Sequence, residues 1–532
     1  MHNYWNCSRP PFSQQNQVQA RFFRSIESLG PSEFKKEETK EHIRGSAWLL
    51  TGRLLAIAIN LSTQVLLVRC LSKSGYGAFA YALSIVSLGS SVAGFGLEKS
   101  VSRFVAIYQE RNEDNKVLGT IVLMVGTILA LGLGIILLIF SLKSSLLQSL
   151  TKDQEAIALV VVLIALSPLQ ALESLFTGLL SVFAKARAIF FRKHLVGPVL
   201  TFGVVLLLTS LSGNVNHIAV GYLAAGVTGV AISTATLYRV LRQKGTLNRA
   251  NLKSIKLPAR EVFSFTTPLL VSDLAFVLRS QFVVLMLEYF RSTTEVANYR
   301  AVLPVARFNM VVYQNFLILF MPLASRMFAR QDRNGINNLY QQSAIWIAVM
   351  SFPVFAVSST LSKPLTTLLF GQRYEESAVV LSVLSFGFYF SAVLGFNGPS
   401  LRIFGKVRYM FLTDLLVAIL SIIVSLILIP RYGALGAAIS VSGTLVAQNV
   451  LYQIGIMFGT GVGWFSRDHF KVYLIIALAW FGLLLLPPLS ISFVVAALVS
   501  LLVFRLNRRS LDIERTFPEL LRLPLMGRIF GT

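Results

Sequence analysis

Fourteen runs of mostly apolar residues, each about 17 to 27 long, take up most of this 532-residue chain. At 1.5 Å of rise per residue, each can cross about 30 Å of hydrocarbon as a helix. They fall near residues 46–69, 76–97, 117–140, 156–182, 194–211, 217–238, 261–287, 299–323, 342–361, 378–398, 408–429, 434–458, 471–486 and 489–505. Hydrocarbon offers no water to an exposed backbone, so such runs must form helices that satisfy themselves. The expected fold is therefore all-α: a polytopic membrane protein of about 14 transmembrane helices. Its 55% hydrophobic and 14% charged residues, with a mean hydropathy of +0.67, exclude an ordinary soluble globule. Only Pro487-Pro488 separates the last two runs, so a single re-entrant hairpin is an alternative there.

A net charge of +24 would suggest nucleic acid in a soluble protein, but the positive-inside rule accounts for it here. With a cytoplasmic N-terminus, 36 of the 48 Lys and Arg fall in inside loops and tails, 9 fall outside and 3 lie within spans. Both termini are then cytoplasmic and the chain sits in the cell membrane. The richest inside loop, after the sixth span, holds Arg239, Arg242, Lys244, Arg249, Lys253, Lys256 and Arg260, which reads as a topology signal and an anionic-lipid contact. Cys7 and Cys70 are the only cysteines, too few for a disulfide framework or a thiolate metal site. Residues 1–45 hold no apolar signal-peptide core, so the first span would serve as an uncleaved anchor. Phe22, Phe23, Ile26 and Leu29 among basic residues suit either a short interfacial helix or a disordered tail.

Segments of the chain recur after about 220 residues. Ser102-Arg103-Phe104 with Gln109-Glu110-Arg111-Asn112 returns as Ser325-Arg326-Met327 with Gln331-Asp332-Arg333-Asn334. Phe183-Ala184-Lys185-Ala186-Arg187 returns as Phe404-Gly405-Lys406-Val407-Arg408, and Ala78-Phe79-Ala80-Tyr81 is echoed weakly by Asn298-Tyr299-Arg300-Ala301. Each echo lies six spans from its partner. Six is even, so the copies cross in the same direction and are parallel repeats. The expected organisation is a cytoplasmic tail (1–45), an N-lobe of helices 1–6 (46–238), a basic linker (239–260), a C-lobe of helices 7–12 (261–458), two extra helices (471–505) and a cytoplasmic tail (506–532). Two such lobes enclosing a cleft suit alternating access. Pro168, Pro268, Pro304 and Pro353 lie inside spans, where each removes a backbone hydrogen bond and can bend the helix.

Charge inside the spans singles out the candidate site. An arginine at the centre of a span costs about 2.5 to 3.5 kcal/mol on insertion scales unless it meets water or a partner. At 100° per residue, Arg53, Asn60 and Gln64 make one polar stripe on the first span, and Arg300, Arg307 and Gln314 make another on the eighth. Ser84 and Ser91 share a face of the second span, and Arg279 lies in the seventh. The candidate substrate-binding residues are therefore Arg53, Asn60, Gln64, Arg279, Arg307 and Gln314, lining a cationic, hydrated cleft between lobes. Snorkelling or structural ion pairing is the alternative for each arginine. Asp273 could pair with an arginine or take part in cation coupling, while Glu173 and Asp414 are expected to partner nearby basic groups. No phosphate loop, His-Glu-x-x-His or Gly-x-Ser-x-Gly motif occurs, and the five histidines are scattered. No bond-making chemistry, metal or cofactor is implied.

Several segments resemble one family. Leu67-Val68-Arg69-Cys70-Leu71-Ser72-Lys73-Ser74-Gly75-Tyr76-Gly77-Ala78-Phe79-Ala80 is similar to the segment between the first two helices of polysaccharide-export flippases. Leu369-Phe370-Gly371-Gln372-Arg373-Tyr374 resembles their outer segment before the tenth helix. Phe404-Gly405-Lys406 and Leu428-Ile429-Pro430-Arg431-Tyr432-Gly433-Ala434 resemble their tenth-to-twelfth helix region. The family is the oligosaccharide flippases of the multidrug/oligosaccharidyl-lipid/polysaccharide (MOP) superfamily, and the resemblance spans residues 46–505. It implies a two-lobed transporter that is not an enzyme. Its cargo would be a polyprenyl-diphosphate-linked oligosaccharide moved from the cytoplasmic to the outer leaflet for surface polysaccharide assembly. Arg53 and Arg279 would meet the lipid diphosphate or an acidic sugar. The bilayer and glycan polymerase or glycosyltransferase machinery would be partners, with no role for nucleic acid. The alternatives are a peptidoglycan lipid-precursor flippase, a drug or cation antiporter of the same superfamily, and a membrane glycan polymerase or ligase.

Overall fold

Apolar runs of this length fold into helices whose breaks fall where the sequence removes a backbone bond or admits a left-handed residue. The computed structural model describes residues 52–53, 55–141, 151, 153–183, 195–211, 214–246, 256–460, 467–485, 492–507 and 511. Residues 1–45, the echo at 184–187, much of the basic linker and most of the C-terminal tail lie outside them. Among the described residues no strand occurs.

The first lobe begins with α1 (Leu55–Cys70). α2 (Lys73–Gly94) and α3 (Leu97–Glu110) form one crossing divided at Phe95 and Gly96, both left-handed. α4 (Asp114–Ser141) follows, then α5 (Gln154–Leu163) and α6 (Leu166–Val182), bent by 42°. Pro168 explains that bend: with no N–H, it leaves the carbonyl of Ile164, at the break, without its helical donor. α7 (Gly197–Leu211) and α8 (Val215–Gln243) complete the lobe.

The second lobe repeats this order. α9 (Ala259–Phe290) leads to α10 (Thr293–Arg307) and, through a tight turn at Phe308–Met310, to α11 (Val311–Ala329). α12 (Arg333–Thr360), the short α13 (Ser362–Phe370), α14 (Ser377–Val393) and α15 (Asn397–Ile403) come next. α16 (Val407–Thr460) is two crossings joined at Gly433, whose φ of 54° and ψ of −130° reverse the chain. α17 (Arg467–Leu484) and α18 (Ser492–Leu506) pack on α12, where Trp480 Nε1 donates to Ser359 Oγ at 3.0 Å. Among the described residues seven spans qualify by length and composition, with α2–α3, α10–α11 and α14–α15 each taken as one, and eight with the bent pair. The other crossings include the shorter apolar helices α1, α7, α17 and α18, and α9, which carries Asp273, Arg279 and Glu288. Of the four prolines, Pro168 and Pro304 precede or flank breaks, whereas Pro268 and Pro353 lie within unbroken helices.

The repeat is visible in local geometry. The turn after α3 closes with Glu113 N–H donating to the Tyr108 carbonyl at 2.9 Å, and the turn after α11 with Asp332 N–H donating to Met327 at 3.0 Å. Each carries a left-handed residue, Asn112 and Gln331, in the arrangement that satisfies the last carbonyls of a helix. At the opposite end of the bundle Ser74 and Thr293, 219 positions apart, meet with their hydroxyl oxygens 3.0 Å apart. Positions one residue from equivalent, in the first turns of α2 and α10, thus meet near the axis relating the lobes.

Packing is unequal along that axis. At the end holding Ser74 and Thr293, both lobes share one apolar core that includes Leu67, Phe79, Tyr81, Leu287, Tyr299 and Leu384. Gly77 permits this closeness, since a Cβ there would lie 1.8 Å from the Thr293 carbonyl oxygen. Toward the other end the cores are largely separate, one around Phe104, Met124 and Leu175 and two within the second lobe. We call these the closed and open ends. Apolar side chains such as Leu133, Leu137, Leu416 and Ile423 are exposed, as lipid-facing positions require.

Candidate functional site

The lobes meet along a seam of α1 and α2 against α9, α10 and α11, and the polar stripes lie on it. Arg53 donates from Nη2 to Gln314 Oε1 across the seam. Eleven residues along, or about 16 Å at helical rise, Gln64 donates to the Tyr76 hydroxyl and to the carbonyl of Arg300 at 3.3 Å. That carbonyl is available because Pro304, four residues later, has no N–H to offer it. Asn60, between the two, is exposed.

Arg300 forms the inner part of this seam. Its guanidinium donates to Ser84 Oγ at 2.5 Å and to Gln281 Oε1, while Gln281 Nε2 donates to Ser87 Oγ at 3.4 Å. Its Nε is buried with no partner. Among the described residues no carboxylate pairs with it. Arg300 and Arg307 line one cavity of about 130 Å³ together with Gln64, Tyr76, Phe79 and Tyr222. A guanidinium enclosed by neutral groups and a second arginine is electrostatically incomplete and favours an anion beside it. The sequence reading put Arg300 on the stripe but not among the candidates. The proline four residues on was the available signal.

The remaining candidates are dispersed. Arg279 is half-buried on α9, with no hydrogen bond or ion pair among the described residues. It is near enough to the Tyr452 hydroxyl of α16 to act on it electrostatically. Asp273 pairs across the seam with Lys99 rather than with an arginine. This pair borders a cavity of about 370 Å³ that Ser87, Ser90, Ser91 and Glu98 also line. Glu173 faces the adjoining cavity of about 470 Å³, with Glu98 and Lys99. Asp414, for which a basic partner was expected, instead accepts from Gln448 Nε2 at 2.6 Å and from the Tyr452 hydroxyl. Among the described residues no cluster suited to a metal ion occurs. The structure thus brings together Arg53 with Gln314, and Gln64 with Arg307 around Arg300.

With this geometry in view, comparison decides the family. The polysaccharide biosynthesis protein family matches residues 42–328, more than half of the chain. The chain belongs to that family. A Shigella flexneri protein provisionally named for O-antigen transport is 21% identical over 415 residues, covering 77% of this chain and 96% of that protein. Among solved structures, the inward closed conformation of the lipid II flippase MurJ superposes with a TM-score of 0.68 at 14% identity, covering 87% of this chain and 97% of MurJ. An inward-facing multidrug resistance MATE transporter of the MOP superfamily gives 0.62 at 15% identity, with 76% and 95% covered. The fold is the one that MurJ and this MATE transporter share, and the chain is a multi-pass membrane protein.

Proposed function

We propose that this polysaccharide biosynthesis protein flips a polyprenyl-diphosphate-linked oligosaccharide from the cytoplasmic to the outer leaflet for surface polysaccharide assembly. The observation that carries this reading is the arginine lining of the interlobe seam, above all Arg300, enclosed by neutral partners with no carboxylate. A diphosphate supplies the missing negative charge, and a guanidinium fork can hold two phosphate oxygens at once. The sugars would remain in the hydrated cleft and the isoprenoid tail in lipid.

The excess of Lys and Arg in the loops at the open end supports a cytoplasmic position for it. Cargo would enter there once the Tyr108–Glu261 and Lys99–Asp273 contacts part, meeting Arg53 first, then Arg307, and last Arg279 and Arg300 nearer the closed end. As the diphosphate takes over the guanidinium of Arg300, Ser84 and Gln281 lose their role in holding the lobes together. The lobes then rock open on the outer side. Glycan polymerase or glycosyltransferase machinery would act on either side of this step.

The test is surface glycan assembly in cells carrying Arg53→Ala or Arg279→Ala, with protein level measured alongside. A charged hydrogen bond contributes about 1.5 to 3 kcal/mol, so each variant is expected to lower flux about tenfold or more at normal protein level. Normal glycan in both variants would refute the reading. Depletion that arrests wall synthesis rather than removing one surface glycan would reassign the cargo to the peptidoglycan precursor.

A further inference from the structure

The second lobe holds a cavity of about 440 Å³ that the arginine seam does not explain, lined by Tyr313, Asn397, Arg402, Gln448, Asn449 and Tyr452, among others. This volume lies in the range of small-ligand sites. Its walls come from α11, α15 and α16, toward the open end. Among the described residues Arg402 is the arginine on its lining. Gln314, which Arg53 bonds across the seam, follows Tyr313 on α11, so the arginine seam runs past one wall of the cavity.

The wall chemistry is that of hydroxyl recognition. Asn397 and Asn449 are fixed: Asn397 Nδ2 donates to Asn449 Oδ1 at 3.2 Å, and Asn449 Nδ2 donates to Ser391 Oγ at 2.9 Å. Asp414 holds the amide nitrogen of Gln448 and the hydroxyl of Tyr452. The Gln448 Oε1 is then left as an acceptor with no partner among the described residues. Arg402 is exposed, and among the described residues no carboxylate pairs with it. Gln448 Oε1 offers an acceptor to a sugar hydroxyl and Arg402 a donor, and the two tyrosines add apolar ring area for the C–H face of a pyranose.

We propose that this cavity is a sugar subsite that holds the pyranose joined directly to the diphosphate, a hexose or N-acetylhexosamine. The proposal rests on the flippase reading above and adds to it the place where the first sugar is read. Arg402 on the lining and Arg53 beside it then hold the diphosphate at one edge of the cavity, and Gln448 and Tyr452 contact the sugar beyond it. Asn397 and Asn449 support the wall through their mutual bond.

The experiment uses the full chain in lipid nanodiscs and three probes: polyprenyl diphosphate alone, with one N-acetylglucosamine, or with one galactose. Equilibrium binding is read by native mass spectrometry. The unmodified protein is expected to bind at least one glycosylated probe about tenfold more tightly than the bare diphosphate. In the Gln448→Ala, Tyr452→Phe double variant the ratio is expected to fall to about one, with bare-diphosphate binding unchanged. Phe keeps the ring beside Gly398. Because the pair of substitutions frees Asp414, the single Gln448→Ala variant, which leaves Tyr452 bonded to Asp414, is run beside it with unfolding temperatures measured. It is expected to lower the ratio in the same direction. Arg53→Ala and Arg402→Ala are expected to weaken all three probes. Equal binding of bare and glycosylated probes by the unmodified protein, or a ratio retained in the double variant, would overturn the sugar subsite. If instead the arginine variants bind bare diphosphate normally, the diphosphate assignment fails while the sugar preference stands.

Discussion

Arg300 joins several physical facts at one residue. Its carbonyl is released by Pro304 and taken up by Gln64, and its guanidinium bridges Ser84 and Gln281. Burying a charge among neutral partners costs stability, and replacing such a group with an apolar one of similar volume is often neutral or stabilising. Arg300→Met is therefore expected to keep or raise the thermal unfolding temperature in detergent while cutting glycan transport about tenfold or more, the scale of a lost charged bond. A purely structural arginine would show both falling together. Arg300→Lys keeps the charge without the two-pronged fork and is expected to fall between. The stripes on the first and eighth spans could be read from periodicity, because a helix repeats its face every seven residues. Which residues meet across the seam could not. Arg53 and Gln314 are 261 positions apart, and no local pattern records such a contact. Asp414 shows the same limit, since sequence marks the carboxylate but not that its partners are an amide and a phenol.

At the scale of elements, the closed end is held by two helix ends that cap each other. The carbonyls of Val68 and Arg69, at the end of α1, accept from Arg373 Nη2, at 2.8 Å in the case of Arg69. Arg69 in turn donates from Nε to the Leu369 carbonyl at 2.8 Å and from Nη2 to Leu368, near the end of α13. Terminal carbonyls lack helical donors and carry the negative end of the helix dipole, so each arginine satisfies bonds and charge on the other lobe. Lys73 with Glu376 adds an ion pair at 3.3 Å beside them, but its exposure makes it weak. The Leu-Val-Arg and Leu-Phe-Gly-Gln-Arg-Tyr segments stood out in the sequence as family-like, yet their reciprocity depends on a contact about 300 positions apart. Arg69→Ala or Arg373→Ala is expected to shift the protein toward opening at this end about tenfold. The measurement is labelling of Ser74→Cys by a membrane-impermeant thiol reagent, in a background with Cys7 and Cys70 replaced by Ser. The double variant should add little to either single one, because the two arginines act as a unit. Unchanged labelling in all three would dismiss the latch.

The whole molecule combines a symmetric frame with asymmetric closure. Parallel lobes followed from the 220-residue echoes and the even number of spans between them, and the contact of Ser74 with Thr293 puts the relating axis through the closed end. Which end is closed was not legible, because open and closed arrangements of one sequence share the same apolar pattern and differ only in which surfaces meet. The closed end is sealed by a common apolar core. Toward the open end the seam is crossed by the Lys99–Asp273 and Arg53–Gln314 pairs, by Tyr108 donating to Glu261 at 2.7 Å, and by Phe95 and Phe104 edge-on to Phe263 and Phe265. Alternating access requires the larger apolar contact to separate during each cycle. With hydroxyl oxygens 3.0 Å apart, cysteines at positions 74 and 293 come within reach of a disulfide. In the same cysteine-free background, the Ser74→Cys, Thr293→Cys pair is expected to cross-link under mild oxidant, to stop glycan transport while oxidised and to recover on reduction. Either cysteine alone should transport under oxidant as well as without it. A cross-linked protein that transports at the unmodified rate would show that the lobes never part along this axis, and cargo would then have to leave by a path beside α1 rather than through the closed end.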